Sequence, residues 1–324
     1  MHRWQIRHWD EADSDQILSL INLVQPHMPF SKEKWRWAYT DHPDGPFAAW
    51  VCEEKNRIVG FYGLARYRWY IQGKEADCLM PVDAMTHPDY RMQGMHDAMV
   101  KVAMKHILES QVPLAYVFPN EKSTRSLLNH QWQMIFQIPL LKKSIGEQES
   151  FVNHDKINVK EIFSFDERFD DLDASLKESL PLRLARDRHY LTWRYLDNQS
   201  QTYRIFVAGD EKYLHGYMIF KVYQHADEEV RAHIVDFFAR PDSENEANAL
   251  IRKAILLSAE ENVNELSCWM LPHVPLCQNF NRFGFKHQEI DRFLFVHPTA
   301  SELNRDQEDI TQNWYLTMGD SDIY

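Results

Sequence analysis

The sequence predicts an α/β chain built as two similar domains in tandem, and three observations carry that reading. Predicted elements up to Phe118 run β-α-α-β-β-β-α-β. One stretch, Leu79 to Glu109, reads as strand, short glycine-containing turn and helix. Residue types from the first half then recur 153 to 156 positions later.

Taken in order, Trp4 to Arg7 reads as a short strand. Asp13 or Ser14 can cap the helix that follows, whose apolar face is Ile17, Leu18, Leu20, Ile21 and Val24. Pro26 and Pro29 close it, and Lys32 to Tyr39 is a second amphipathic segment. Phe47 to Cys52 and Arg57 to Tyr67 form a hairpin across the charged turn Glu53-Glu54-Lys55-Asn56. Trp69 to Ile71 and Leu79 to Thr86 make a further pair around Gly73. Pro88 ends that strand, because it offers no N–H and holds His87 extended. Gly94 then opens a helix in which Ala98, Met99, Val102, Ala103 and Leu108 recur at helical spacing. Such a turn aims free backbone N–H groups and the positive end of the helix dipole at one spot, which suits a phosphate. Leu114 to Phe118 is the next strand.

The repeat is read from register. Trp37, Tyr39 and Gly60 have counterparts in Trp193, Tyr195 and Gly216, each 156 later. Val82-Asp83, Pro88-Asp89 and Trp132 have counterparts in Val235-Asp236, Pro241-Asp242 and Phe285, each 153 later. The boundary falls in the polar stretch Ser144 to Asn153, giving domains 1–148 and 149–324. The copies differ at the glycine turn. Arg91 and Gly94 give way to Glu244 and Ala247, with Glu246 adding a second negative charge. At 4 Å each charge pair repels by about 1 kcal/mol in water, so the second copy is expected to refuse phosphate. The acidic stretch SELNRDQED precedes a tail in which Trp314 to Leu316 either docks as a last strand or frays.

Composition excludes several classes. With 44% apolar and 26% charged residues, the chain is of globular type. A formal charge of −12 argues against unassisted nucleic-acid binding. No apolar stretch is long enough to span a bilayer, and the N-terminus lacks a signal-peptide core, so no membrane partner and a cytoplasmic location are expected. Cys52, Cys78, Cys268 and Cys277 show no Cys-x-x-Cys spacing, and no His-Glu-x-x-His occurs, so no metal site is expected.

The segment HPDYRMQGMH resembles the pyrophosphate loop of the GNAT acyl-CoA N-acetyltransferases, Gln/Arg-x-x-Gly-x-Gly/Ala. Arg91 and Gly94 match it, and His96 departs from the usual small residue. PNEKSTRSLLNHQW resembles the family's Asn-x-x-Ala-x-x-Leu-Tyr-x-x-x-Gly-Phe segment through Asn120, Ser123 and Trp132. The resemblance implies a mostly antiparallel central sheet flanked by helices in each domain, with acetyl-CoA as acyl donor at one site in the first. It places the pyrophosphate on Arg91, Met92, Gln93, Gly94, Met95 and His96, the pantetheine arm along Met85 and Thr86, and Asn120 beside the cofactor. The family's proton-donating Tyr falls on Leu127, which has no proton to give, so the thiolate leaves assisted by backbone dipoles alone or by Ser123 or Tyr116. Asp83, three residues before Thr86, is the candidate general base, with Glu75 and Asp77 behind it. The expected activity is N-acetylation of a primary amine on a small molecule, an amino sugar among the options. The alternative is a catalytically inactive GNAT-fold module that binds CoA or a partner. Nothing in the sequence sets the acceptor or the oligomeric state.

Overall fold

The computed structural model describes residues 3–27, 29–45, 47–146, 157–224, 229–299 and 312–322. The first half contributes β1 (Gln5–His8), α1 (Ser14–Val24), α2 (Lys32–Trp35), β2 (Ala48–Glu54), β3 (Arg57–Ile71), β4 (Lys74–Thr86), α3 (Met95–Glu109), β5 (Leu114–Val117), α4 (Glu121–Asn129), β6 (Gln133–Gln137) and β7 (Leu140–Ser144). The second contributes β8 (Val159–Ile162), α5 (Glu167–Ser175), β9 (Leu182–Leu184), α6 (Arg188–Tyr195), β10 (Arg204–Gly209), β11 (Leu214–Gln224), β12 (Val230–Ala239), α7 (Glu244–Glu260), β13 (Glu265–Trp269), α8 (Leu276–Arg282), β14 (Lys286–Gln288) and β15 (Phe293–Pro298).

Two mixed sheets result, each antiparallel except for one parallel pair, β4 with β5 and β12 with β13. The first runs β1-β2-β3-β4-β5-β15-β6, with β9 added to β3; the second runs β14-β7-β13-β12-β11-β10-β8. The first sheet thus holds β15 and β9 from the second half, and the second sheet holds β7 from the first. Only Ile138 and Pro139 separate β6 from β7. A two-residue hairpin there needs positive φ at Ile138, which a β-branched residue resists, and one type also needs it at Pro139, which the ring forbids. The chain runs on instead, and β7 enters the second sheet between β13 and β14. In return β15 fills the place between β5 and β6.

Some local features occur in both halves. Trp132 N–H donates to the Leu127 carbonyl (3.1 Å), and Phe285 N–H to the Phe280 carbonyl (3.2 Å). The β3–β4 ladder slips between Phe61 and Gly63, and the β11–β12 ladder slips between Ile219 and Phe220. Trp37 and Trp193 stack with ring centroids 4.9 Å apart. Each indole N–H donates to the other's backbone carbonyl, at 2.6 and 2.8 Å. One continuous apolar core joins the halves, from Ile17, Trp69 and Tyr116 to Tyr217, Trp269 and Trp314. A second cluster sits between α3 and the first sheet, around Trp50, Met95 and Met99.

Some expectations needed correction. Trp69 to Ile71 is not a separate strand, since β3 runs fifteen residues and pairs with β4 along its length. Asp13 stands at the N-cap of α1 but makes no capping bond, because Arg7 holds its carboxylate at 2.6 Å. Trp314 to Leu316 is docked and buried, with Trp314 bridging to Leu182. Residues 147–153 of the expected boundary, and the SELNRDQED stretch, lie outside the described residues. The four cysteines are buried and unbonded, no metal-binding group occurs among the described residues, and no described helix is long and apolar enough to cross a membrane.

Candidate functional site

β4 and β5 pair only at Cys78–Leu114 and Leu79–Ala115. β4 then runs on to Thr86 while β5 turns away, so the two strands splay. The gap is a cleft of about 670 Å³ whose walls are Pro81 to Thr86 on one side and Val117 to Asn120 on the other. At the splay the β4 ladder slips one residue around Asp83, whose φ of 48° is left-handed, and Ala84 is left exposed. A bulge of this kind re-aims a side chain and frees backbone groups.

The glycine turn stands at the cleft mouth. Gly94 has φ of 76° and is the N-cap of α3, with no side-chain cap and open space where a Cβ would stand. The first helical bond is Ala98 N–H to the Gly94 carbonyl (3.0 Å), so the amides of Met95, His96 and Asp97 precede it. Arg91 is exposed and has no ion-pair partner among the described residues. On the opposite wall Asn120 and Ser123 cap α4 reciprocally. Ser123 N–H donates to Asn120 Oδ1 (3.0 Å), and Asn120 N–H to Ser123 Oγ (3.1 Å).

A second cavity of about 420 Å³ lies between the halves, walled by Tyr39, Trp37, Trp193 and Arg194. It meets the cleft at Gln25, Val82, Asp83, Phe118, Asn120 and Asp322. Two carboxylates thus stand where the cavities join. The Tyr39 hydroxyl donates to Asp83 Oδ2. Burial raises the Asp83 pKa, against that bond and the Lys34 charge. Asp322 is open to the cavities but walled by protein, and burial followed by the Asp83 charge pushes its pKa up to about 6. Burial lowers the His96 pKa and so favours the neutral imidazole. It raises the Tyr62 pKa and so keeps that hydroxyl protonated.

Of the residues expected at the site, Asp83, Met85, Thr86, Arg91, His96, Asn120 and Ser123 line the one cleft. The side chains of Met92, Gln93 and Met95 do not. Met92 is fully exposed, Gln93 Nε2 donates to the Asp89 carbonyl (3.2 Å), and Met95 is buried under α3. The Ser123 hydroxyl also donates to the Asn120 carbonyl (3.1 Å), so the cap uses it both ways. Tyr116 is buried against Trp69 and lies off the cleft. Glu75 accepts from the Tyr70 hydroxyl (3.0 Å) and Asp77 pairs with Arg66 (2.8 Å), both away from the cleft. Asp322 and Tyr62 escaped the sequence reading. Asp322 follows a long acidic segment, and Tyr62 is one aromatic residue in a buried strand; only the fold brings them here.

In the second sheet the carboxylate of Asp236 is enclosed. Asp236 is 1% exposed and pairs with Arg186 at 3.2 Å. It also accepts from the hydroxyls of Tyr195 (3.2 Å), Tyr217 (3.0 Å) and Thr317 (3.0 Å). The Tyr315 hydroxyl donates to the Phe237 carbonyl, and Phe280 packs on Phe237 at 5.0 Å. The docked tail therefore covers this part of β12, whereas the end of β4 stays open.

Residues 5–126 match the family described as acetyltransferase (GNAT) domain. That stretch is similar to GNAT domains. No curated protein matches the sequence. Among solved structures, a GCN5-related N-acetyltransferase from Anabaena variabilis is similar at TM-score 0.69 and 13% identity, covering 92% of this chain and 73% of that one. One from Kribbella flavida gives 0.64 and 13%, over 90% and 70%. The N-myristoyltransferase of Saccharomyces cerevisiae with bound myristoyl-CoA gives 0.59 and 10%, over 91% and 82%. The shared fold spans most of the chain, and the splayed cleft lies largely within the matched residues.

Proposed function

We propose that the protein is an acyl-CoA-dependent N-acetyltransferase that acetylates a primary amine of a small molecule, an amino sugar among the options, at one site in its first half. The observation that carries this reading is a cleft entered past an open, left-handed Gly94 and joined to a second cavity at two carboxylates. The residues present fit an acyl-CoA. The amides of Met95 to Asp97 and the Arg91 guanidinium take the pyrophosphate, and the free edge of β4 offers backbone partners to the pantetheine arm. The donor supplies an activated thioester. Asp83 and Asp322 take the proton of the amine that arrives through the second cavity, and raised carboxyl pKa values suit that task. With Leu127 in place of a tyrosine, the Tyr62 hydroxyl on the cleft wall is the group that returns a proton to the leaving thiolate. In the second half the Glu244 carboxylate and the docked tail leave no equivalent use.

We read the halves as diverged copies, with domains 1–148 and 149–324 that exchange their last strands. Calorimetric titration with acetyl-CoA is the test. One site per chain is expected, and Gly94→Glu should abolish it by placing a carboxylate at the phosphate. The substitution also puts a side chain at positive φ, at a stability cost of about 1 kcal/mol. Undiminished binding by a folded Gly94→Glu protein would refute the loop. One-site binding without turnover of any amine would favour the CoA-binding module, consistent with Leu127.

A further inference from the structure

The two carboxylates account for one end of the acceptor space, but the cations around it remain unexplained. A third cavity, of about 870 Å³, lies over the second sheet and meets the other two at Asn120, sharing Arg292 with the inter-half cavity. Lys221 lines it and Lys34 lines the inter-half cavity. Lys34, Lys221 and Arg292 are each only partly exposed, and none has a carboxylate partner among the described residues. Lys34 rests on the Phe30 ring at 4.1 Å, and Lys221 lies near Tyr203 and Tyr223 at about 6 Å. A half-buried ammonium without a counterion is costly to keep. Burial, with Arg194 and Lys34 nearby, accordingly pulls the Lys221 pKa down to about 8. The acids on the same wall do not relieve it. Glu265 is neutralised by Lys142 at 2.9 Å, and Glu121 and Asp291 are exposed.

We propose that the acceptor is a primary amine carrying an anionic group, carboxylate or phosphate, on the same small molecule: Asp83 and Asp322 receive the amine end, and Lys34, Lys221 and Arg292 receive the anion. This rests on the acyl-transfer reading above and names its substrate class. The chamber is dipolar, acidic where it meets the cleft and basic beyond, and a zwitterion satisfies both ends. A diamine leaves the cations unpaired, and a neutral amine leaves them as they are. Lys34, Asp83, Arg292 and Asp322 all line the inter-half cavity, so one small ligand can meet both ends.

The test measures binding of an amine panel to the full chain by calorimetry, with and without CoA. The panel contains glycine, β-alanine and longer ω-amino carboxylates, the matching aminoalkyl phosphates, the corresponding amides, and simple diamines. At least one anionic member should bind about tenfold or more tighter than its amide. The carboxylate and phosphate arms identify which anion is preferred. Lys221→Met should bring the anion-to-amide ratio close to one, Lys221→Arg should retain it, and Lys221→Glu should turn the preference towards a diamine. Equal binding of carboxylate, phosphate and amide overturns the proposal. So does an unchanged ratio in folded Lys221→Met, or binding by no panel member. Failure of acetyl-CoA to bind would instead refute the acyl-transfer reading, and the CoA-free arm separates the two results.

Discussion

Asp83 on β4 and Asp236 on β12 have neighbours that give them opposite character. Asp236 is sealed by Arg186 and three hydroxyls. Asp83 has one hydroxyl and a cavity on either side. Its charge acts on Asp322, the group that titrates near neutrality. A base works only when deprotonated, so kcat/KM should rise with pH through about 6. Asp83→Asn removes the charge that raises Asp322, so the acid limb should move to lower pH, at reduced rate. Asp322→Asn should lower kcat/KM about 10²-fold or more. A pH–rate profile of the wild type and both variants decides this, and an unmoved limb in Asp83→Asn would remove the pair from the reaction.

The strand that opens in one half is closed in the other by the tail. Arg186 is the pin of that closure. It pairs with Asp236 at 3.2 Å and Asp320 at 2.7 Å, all three within 3% exposure. Truncating one member of such a cluster strands buried charge, which typically costs about 3–5 kcal/mol. Arg186→Met should therefore lower the unfolding free energy read from urea melts by that order. Asp236→Asn with Asp320→Asn added should restore part of the loss, since no uncompensated carboxylate then stays buried. If urea melts show Arg186→Met within about 1 kcal/mol of wild type, the tail is not held as described. The same contrast explains why one half keeps a cleft. Asp83 and Ala84 meet solvent, while Val235 to Ala239 are fully covered.

Across the whole molecule the strand exchange ties the halves together. The first sheet needs β15 between β5 and β6, and the second needs β7 between β13 and β14. A chain ending at residue 146 would leave β5 and β6 with unpaired edges and expose Tyr116, Trp37 and the core behind them. It should not fold as a stable monomer. Circular dichroism and analytical ultracentrifugation of residues 1–146 check this, and a cooperatively melting monomer would contradict it. Stacked Trp37 and Trp193, worth about 1 kcal/mol beyond their burial, add to the union.

Local pattern was enough for the first half of the fold. Period, caps and breakers placed β1, α1, the β2–β3 hairpin, the end of β4 before Pro88 and the start of α3 at Gly94, because each depends on neighbours a few residues away. The Gly94 turn was legible for the same reason. The exchange of β7 and β15, the docking of Trp314 to Leu316, and the arrival of Asp322 beside Asp83 were not. These are contacts between segments far apart in the chain, and no local preference in either segment encodes the partner. Tertiary packing alone brings them together, and with them the acceptor chamber.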